Sequence, residues 1–250
     1  MTRSAHSFIL DHPMAGPSST AAAPAKKPTP LPVKLYLAAY NLVQAAGWSY
    51  ILYLMIDHYF VQQKSYNTLY PVVEQALAIF QTGAILEIIH AIVRFVKSPV
   101  AITFVQVYSR VFLVWGIAHS VPETQPHWAF TLMLTAWTVT EIIRYLYYFF
   151  NLFGSVPYIL TWCRYTFFYV LYPMGVSGEV IMIFQAMPVV ERNKLFSTEL
   201  PNWYNFSFSY YYFLIVMAIT YVPGFPPLYQ YMIKQRRTII GGKTDKRKSE

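Results

Sequence analysis

RYTFFYVLYPMGVSGEVIMIFQAM, residues 164–187, holds two charged side chains, Arg164 at its start and Glu179 inside it. Apart from Gln185 the rest is aliphatic, aromatic or small, and about 20 such residues suffice to cross roughly 30 Å of hydrocarbon as a helix. Lipid offers the backbone no hydrogen bonds, so a helix is the expected form. Within it, Tyr172 is followed by Pro173, Gly175, Gly178 and Glu179. A helix breaker and a bare carboxylate are costly where lipid is the solvent, and such residues tend to mark function.

Five further apolar segments accompany this one, at about 33–60, 72–96, 99–121, 128–150 and 207–232. Turn signals separate them: Tyr70-Pro71, Ser98-Pro99, Val121-Pro122, the 151–157 stretch, and Met187 through Phe206 with Pro188 and Pro201. The composition agrees. Of 250 residues, 56% are hydrophobic and 12% charged, against about 25% charged in soluble domains. The expected fold is an all-α polytopic membrane protein, a bundle of six transmembrane helices over residues 32–237. Residues 1–31, rich in Ala, Pro, Ser and Thr, read as a disordered tail, and 238–250 as a basic tail. Phe8-Ile9-Leu10 is too short for the apolar region of a signal peptide.

Charge placement orients the bundle. With the N-terminus cytosolic and six spans, fourteen Lys and Arg lie on the cytosolic side and three on the other. The positive-inside rule then puts both termini in the cytosol. A four-span arrangement with two buried segments gives the same sides. The terminal KRKSE resembles a dilysine retrieval signal of endoplasmic reticulum membrane proteins, or is a plain basic flank.

Several functions are disfavoured. Net charge is +8, much of it terminal, and no basic stretch joins a nucleic-acid-reading motif. Cys163 is the lone cysteine, so no internal disulfide forms. The six histidines are spread singly, without zinc-ligand spacing or the tight clusters of iron-dependent membrane enzymes. His6 and Asp11 form an H-x-x-x-x-D string in a tail with no fold around it, which reads as chance.

Among buried ionisable residues, Glu141 and Arg144 sit at i, i+3 and can pair on one helix. Glu87 and His90 share that spacing. Arg110 has no local acid and either pairs across helices or meets an anionic ligand. Glu74 lies near a span end. Glu179 has no basic residue within a turn. Tyr172, seven residues earlier, shares its helical face about 10 Å away by rise. A kink could bring phenol and carboxyl to one substrate, in general acid–base work. The plainer reading packs Tyr172 and bonds Glu179 to a neighbouring helix.

RYTFFYVLYPMGVSGE (164–179) resembles the signature of the membrane 3-hydroxyacyl-CoA dehydratases, the protein-tyrosine-phosphatase-like family. YNLVQAAGW (40–48), FQTGAILEIIH (80–90), SPVAITFVQVYSRVFLVWGI (98–117), AWTVTEIIRY (136–145), LPNWYNFSFSYYYF (200–213) and YVPGFPPLYQYMIKQRR (221–237) extend the resemblance over about 33–237. It implies removal of water from a (3R)-3-hydroxyacyl-CoA to give the trans-2-enoyl-CoA, the third step of very-long-chain fatty acid elongation at the endoplasmic reticulum. It implies a catalytic Tyr172 and Glu179, no cofactor or metal, and the elongases and two reductases of the cycle as partners. Arg110, Arg144 and Arg164 are candidates for binding the thioester oxygen or the CoA phosphates. In HAIVRFVKSP (90–99), Ala91 stands where relatives can carry a cysteine and Pro99 where a phosphatase needs arginine, so phosphatase chemistry is not expected. A scaffold of the same fold with little activity is the alternative. A transporter is disfavoured, because such proteins often pair broken helices in two halves and no such repeat is visible.

Overall fold

The computed structural model describes residues 30–241, and these form helices with one isolated antiparallel bridge, Thr198 to Phe208, and no strand. The elements are α1 (Leu31–Ile56), α2 (Tyr70–Gly83), α3 (Ile85–Ile92), α4 (Val100–Phe112), α5 (Trp128–Leu152), α6 (Tyr158–Thr166), α7 (Phe168–Asn193) and α8 (Tyr210–Arg236). Wider π turns extend three of them, over Asp57–Val61, Leu113–His119 and Arg237–Gly241. Starts follow local chemistry. Pro30, Pro99 and Pro157 precede α1, α4 and α6, and Pro71 sits in the first turn of α2. At α5 the His127 ring accepts from the Ala129 amide at 3.2 Å, satisfying one of the free N–H groups of a helix start.

Four helical stretches are long and apolar enough to cross a membrane: Tyr70–Ile92, Val100–His119, Phe168–Asn193 and Tyr210–Gly241. Large apolar side chains cover the outside, with Phe60, Val170 and Val222 each more than two thirds exposed. The interior holds Asn41, Gln44, Gln81, Glu141 and Glu179 beside Trp48, Phe130 and Trp137. α5 lies between α1 and α7, its packing residues Phe130, Met133, Leu134, Trp137 and Glu141 recurring at helical spacing. Being central, α5 can carry threonines, tyrosines and charges that neighbours satisfy.

The break expected from Met187 through Phe206 begins later than the prolines suggest. α7 runs through both Pro173 and Pro188 and ends at Asn193, with Lys194 in the left-handed region at φ 51°. Met187 and Val190 stay buried past Pro188. A proline inside a helix in water costs about 3 kcal/mol, but membrane helices tolerate it where neighbours repair the freed backbone groups. α8 likewise continues through Pro223, Pro226 and Pro227. The His6–Asp11 string, the KRKSE end and most of both expected tails lie outside the described residues.

Candidate active site

Gly178 lets α7 approach α5. A Cβ there would sit 2.8 Å from the Met133 backbone nitrogen, closer than atoms pack. The next residue, Glu179, is therefore pressed against Trp137, one turn beyond Met133. The Trp137 indole donates to Glu179 Oε1 at 2.8 Å, and the Tyr221 hydroxyl of α8 donates to Oε2 at 2.8 Å. Glu179 is 8% exposed, and hydrogen bonds to a charged group are worth about 1.5–3 kcal/mol each. The carboxylate is thus held by two neutral donors, so the plainer sequence reading, a bond to a neighbouring helix, is met twice over.

Tyr172 joins the same α7–α8 seam. Its ring stacks on Phe225 at 5.0 Å and Tyr229 at 6.1 Å, nearly parallel to both. Tyr221, Phe225 and Tyr229 are four residues apart along α8 and form one aromatic face. Phenol and carboxylate therefore meet the same stripe of α8, and the charge of Glu179 acts on Tyr172.

Behind this seam runs a chain of ion pairs. Glu141 receives Arg144 at 2.5 Å, as the i, i+3 spacing predicts, and also pairs with Arg110 of α4. Arg110 therefore pairs across helices. Its guanidinium lies over the Trp137 ring, 5.2 Å from the centroid, and its charge acts on both Glu179 and Tyr172. Arg144 reaches Glu87 through two bonds of 2.7 and 2.8 Å, and the Tyr145 hydroxyl donates to Glu87 at 2.5 Å. The local Glu87–His90 pair does not form. His90 bonds the Tyr36 hydroxyl at 2.9 Å, because a fork on α5 offers Glu87 two donors where an imidazole offers one. Glu74 meets His119 at 3.1 Å, both half exposed.

Arg164 stands apart. It is flanked by the rings of Tyr147 and Tyr148 at 4.5 and 4.9 Å, and its Nε and Nη1 have no hydrogen-bond partner. No carboxylate pairs with it among the described residues. Of the five sequence candidates, Tyr172, Glu179 and Arg110 converge. Arg144 is saturated by two carboxylates, and Arg164 lies toward the α6 end. Trp137 and Tyr221 were not anticipated. Tyr221 had a signal, the four-residue aromatic spacing through YVPGFPPLY, whereas Trp137 had none beyond lying one turn before Glu141.

The chain matches the family model described as Protein tyrosine phosphatase-like protein, PTPLA, over residues 81–242. It belongs to that family. Very-long-chain (3R)-3-hydroxyacyl-CoA dehydratase 2 of Homo sapiens is 49% identical over 215 residues, which are 86% of this chain and 84% of that one. The Caenorhabditis elegans relative, very-long-chain (3R)-3-hydroxyacyl-CoA dehydratase hpo-8, is 47% identical over 216 residues, 86% of this chain and 99% of its own. Very-long-chain (3R)-3-hydroxyacyl-CoA dehydratase PASTICCINO 2 of Arabidopsis thaliana is 40% identical over 208 residues, 83% of this chain and 93% of its own. No solved structure matches. In this PTPLA chain Ala91 is buried within α3, and Cys163 lies on α6, so the stretch that names the family holds no thiol nucleophile.

Proposed function

We propose that this chain is a very-long-chain (3R)-3-hydroxyacyl-CoA dehydratase that yields the trans-2-enoyl-CoA. The observation that carries the reading is the Tyr172–Glu179 pair on one α7–α8 seam, in a chain whose relatives bear that name. Glu179 takes the C2 proton, which the thioester carbonyl acidifies. The C–H electron pair becomes the C2–C3 double bond, the C3–O bond breaks, and Tyr172 protonates the departing hydroxide to water. The buried setting strengthens polar interactions with the thioester. Arg110, held by Glu141 and stacked on Trp137, is assigned to the thioester oxygen, and Arg164, which meets no carboxylate among the described residues, to the CoA phosphates. Arg144 braces Arg110 through Glu141.

The catalytic unit is assigned to residues 32–237, in the endoplasmic reticulum membrane, as six spans with both termini cytosolic. Support for six comes from the helices that match all six apolar segments and from the basic residues on the cytosolic side. The elongases and reductases of the same cycle are its expected partners, since they make its substrate and use its product.

The test is dehydration of a long-chain 3-hydroxyacyl-CoA by membranes holding the chain, beside Tyr172→Phe and Glu179→Gln. Wild type forms enoyl-CoA, and each variant loses about 10²–10⁴-fold at matched expression and melting temperature. Equal turnover by Glu179→Gln removes the catalytic assignment. No product from wild type at any chain length moves the chain to the scaffold reading.

A further inference from the structure

The dehydration just described leaves the site in the wrong protonation state. Glu179 has gained the C2 proton and is neutral. Tyr172 has lost its proton and is a phenolate. One proton must pass from the carboxyl to the phenolate before the next substrate can react. Glu179 is buried and Tyr172 half-buried, both among apolar and aromatic side chains.

The geometry points to Tyr221 as the group that carries this proton, a third functional residue acting through Glu179 and Tyr172. Its hydroxyl is 2.8 Å from Glu179 Oε2. It stands one helical turn before Phe225, on the α8 face whose next two members, Phe225 and Tyr229, stack on the Tyr172 ring. The other carboxylate oxygen is closed to this traffic. Oε1 is held by the Trp137 indole, which is a donor only and has no lone pair to accept a proton. A phenol hydroxyl can accept and donate at once. In the reset, the neutral Glu179 gives its Oε2 proton to the Tyr221 oxygen while Tyr221 gives its own proton to the Tyr172 phenolate. Glu179 ends as carboxylate, Tyr172 as phenol and Tyr221 unchanged, with no net gain or loss. The two oxygens of Glu179 thereby have separate duties, Oε1 for orientation and Oε2 for the proton.

This inference rests on the proposed dehydratase activity, and a rapid-mixing experiment separates the two. Purified chain at known active-site concentration is mixed with excess long-chain 3-hydroxyacyl-CoA, and enoyl-CoA is followed through the first turnover and beyond. Wild type gives steady formation. Tyr221→Phe keeps the ring but removes a donor from Glu179, so it is expected to form the first enoyl-CoA per site within about tenfold of the wild-type rate, then to slow roughly 10²-fold further, with KM falling alongside kcat because the slow step follows the chemistry. Trp137→Phe, which only loosens orientation, is expected to slow the first turnover as much as later ones. A Tyr221→Phe chain that turns over steadily at the wild-type rate, or whose first turnover is as slow as the rest, overturns the relay. Should that variant not fold, 3-fluorotyrosine at position 221 alters the acidity of the phenol and hardly its shape. Later turnovers then change rate more than the first does, and identical kinetics overturn the relay. Absence of enoyl-CoA from wild type overturns the dehydratase reading instead.

Discussion

Adding one methyl group at Gly178 should disable the site without touching a polar atom. An ideal Cβ at Gly178 falls 2.8 Å from both the Met133 nitrogen and Cβ, and 2.9 Å from its Cα. Two of those atoms are backbone, so no rotamer change clears them. Ordinary contact begins at about 3.4 Å, so α7 must move off α5 by about 0.6 Å. Glu179 is the next residue and Trp137 lies one turn along α5, so the same displacement stretches their 2.8 Å bond to about 3.4 Å. That exceeds the 2.7–3.2 Å range of a good N–H···O bond. Overpacking of this kind costs about 1–3 kcal/mol, and a misplacement near 1 Å can cost about 10²-fold in rate. Gly178→Ala should therefore lower kcat by about 10- to 100-fold. Gly175→Ala is the control. Its Cβ would meet the Ala136 side chain at 3.4 Å, an ordinary contact, and turnover should stay within about threefold. The assay is enoyl-CoA formation by both variants in detergent, with thermal unfolding alongside. Wild-type turnover by Gly178→Ala, or equal damage from Gly175→Ala, would refute the argument that this close approach seats the carboxylate.

Arg144→Leu leaves Glu87 without a cation and Glu141 with Arg110 alone, so the chain should lose about 3–5 kcal/mol, read as a fall in melting temperature in detergent larger than that of Tyr36→Phe, which removes a single bond to His90. Glu141→Gln keeps the shape but weakens the hold on Arg110; KM for the acyl-CoA should rise several-fold, and an unchanged KM would count against Arg110 as a thioester ligand. Charge reversal at Arg164, Arg164→Glu, should raise KM for acyl-CoA far more than for a short acyl thioester lacking phosphates. Hydrolysis of p-nitrophenyl phosphate by the purified chain should equal that of a Cys163→Ser control.

The all-helical fold was legible because length and apolarity announce a helix where lipid is the solvent; of the six apolar segments, four form stretches long and apolar enough to cross a membrane. The Glu141–Arg144 pair was legible too, since it depends on spacing within one helix. Tyr172 and Glu179 stood out because a proline and a carboxylate are conspicuous in such a stretch. What stayed hidden depends on which helices touch. Tyr221 and Trp137 each lie 42 residues from Glu179, and nothing local records that they meet it. The partner of Glu87 lies 57 residues away, so the nearer His90 misled. Pro188 was read by a rule learned in water, where a lost backbone bond ends a helix. Inside a bundle the packing of Met187 and Val190 carries the helix onward.

The charges on α5 bear on how the chain enters a membrane. A lone charged side chain at mid-bilayer raises insertion free energy by about 2.5–3.5 kcal/mol, and in the proposed six-span assembly α5 would bring two, Glu141 and Arg144. They partly cancel within the helix, and the remainder is met by Glu87 of α3 and Arg110 of α4. Both partners precede α5 in the chain, so a ribosome delivers them first. In a six-span assembly α5 would leave the translocon into a place already lined with its counter-charges, and a chain with the first four helices deleted should strand α5 outside the bilayer.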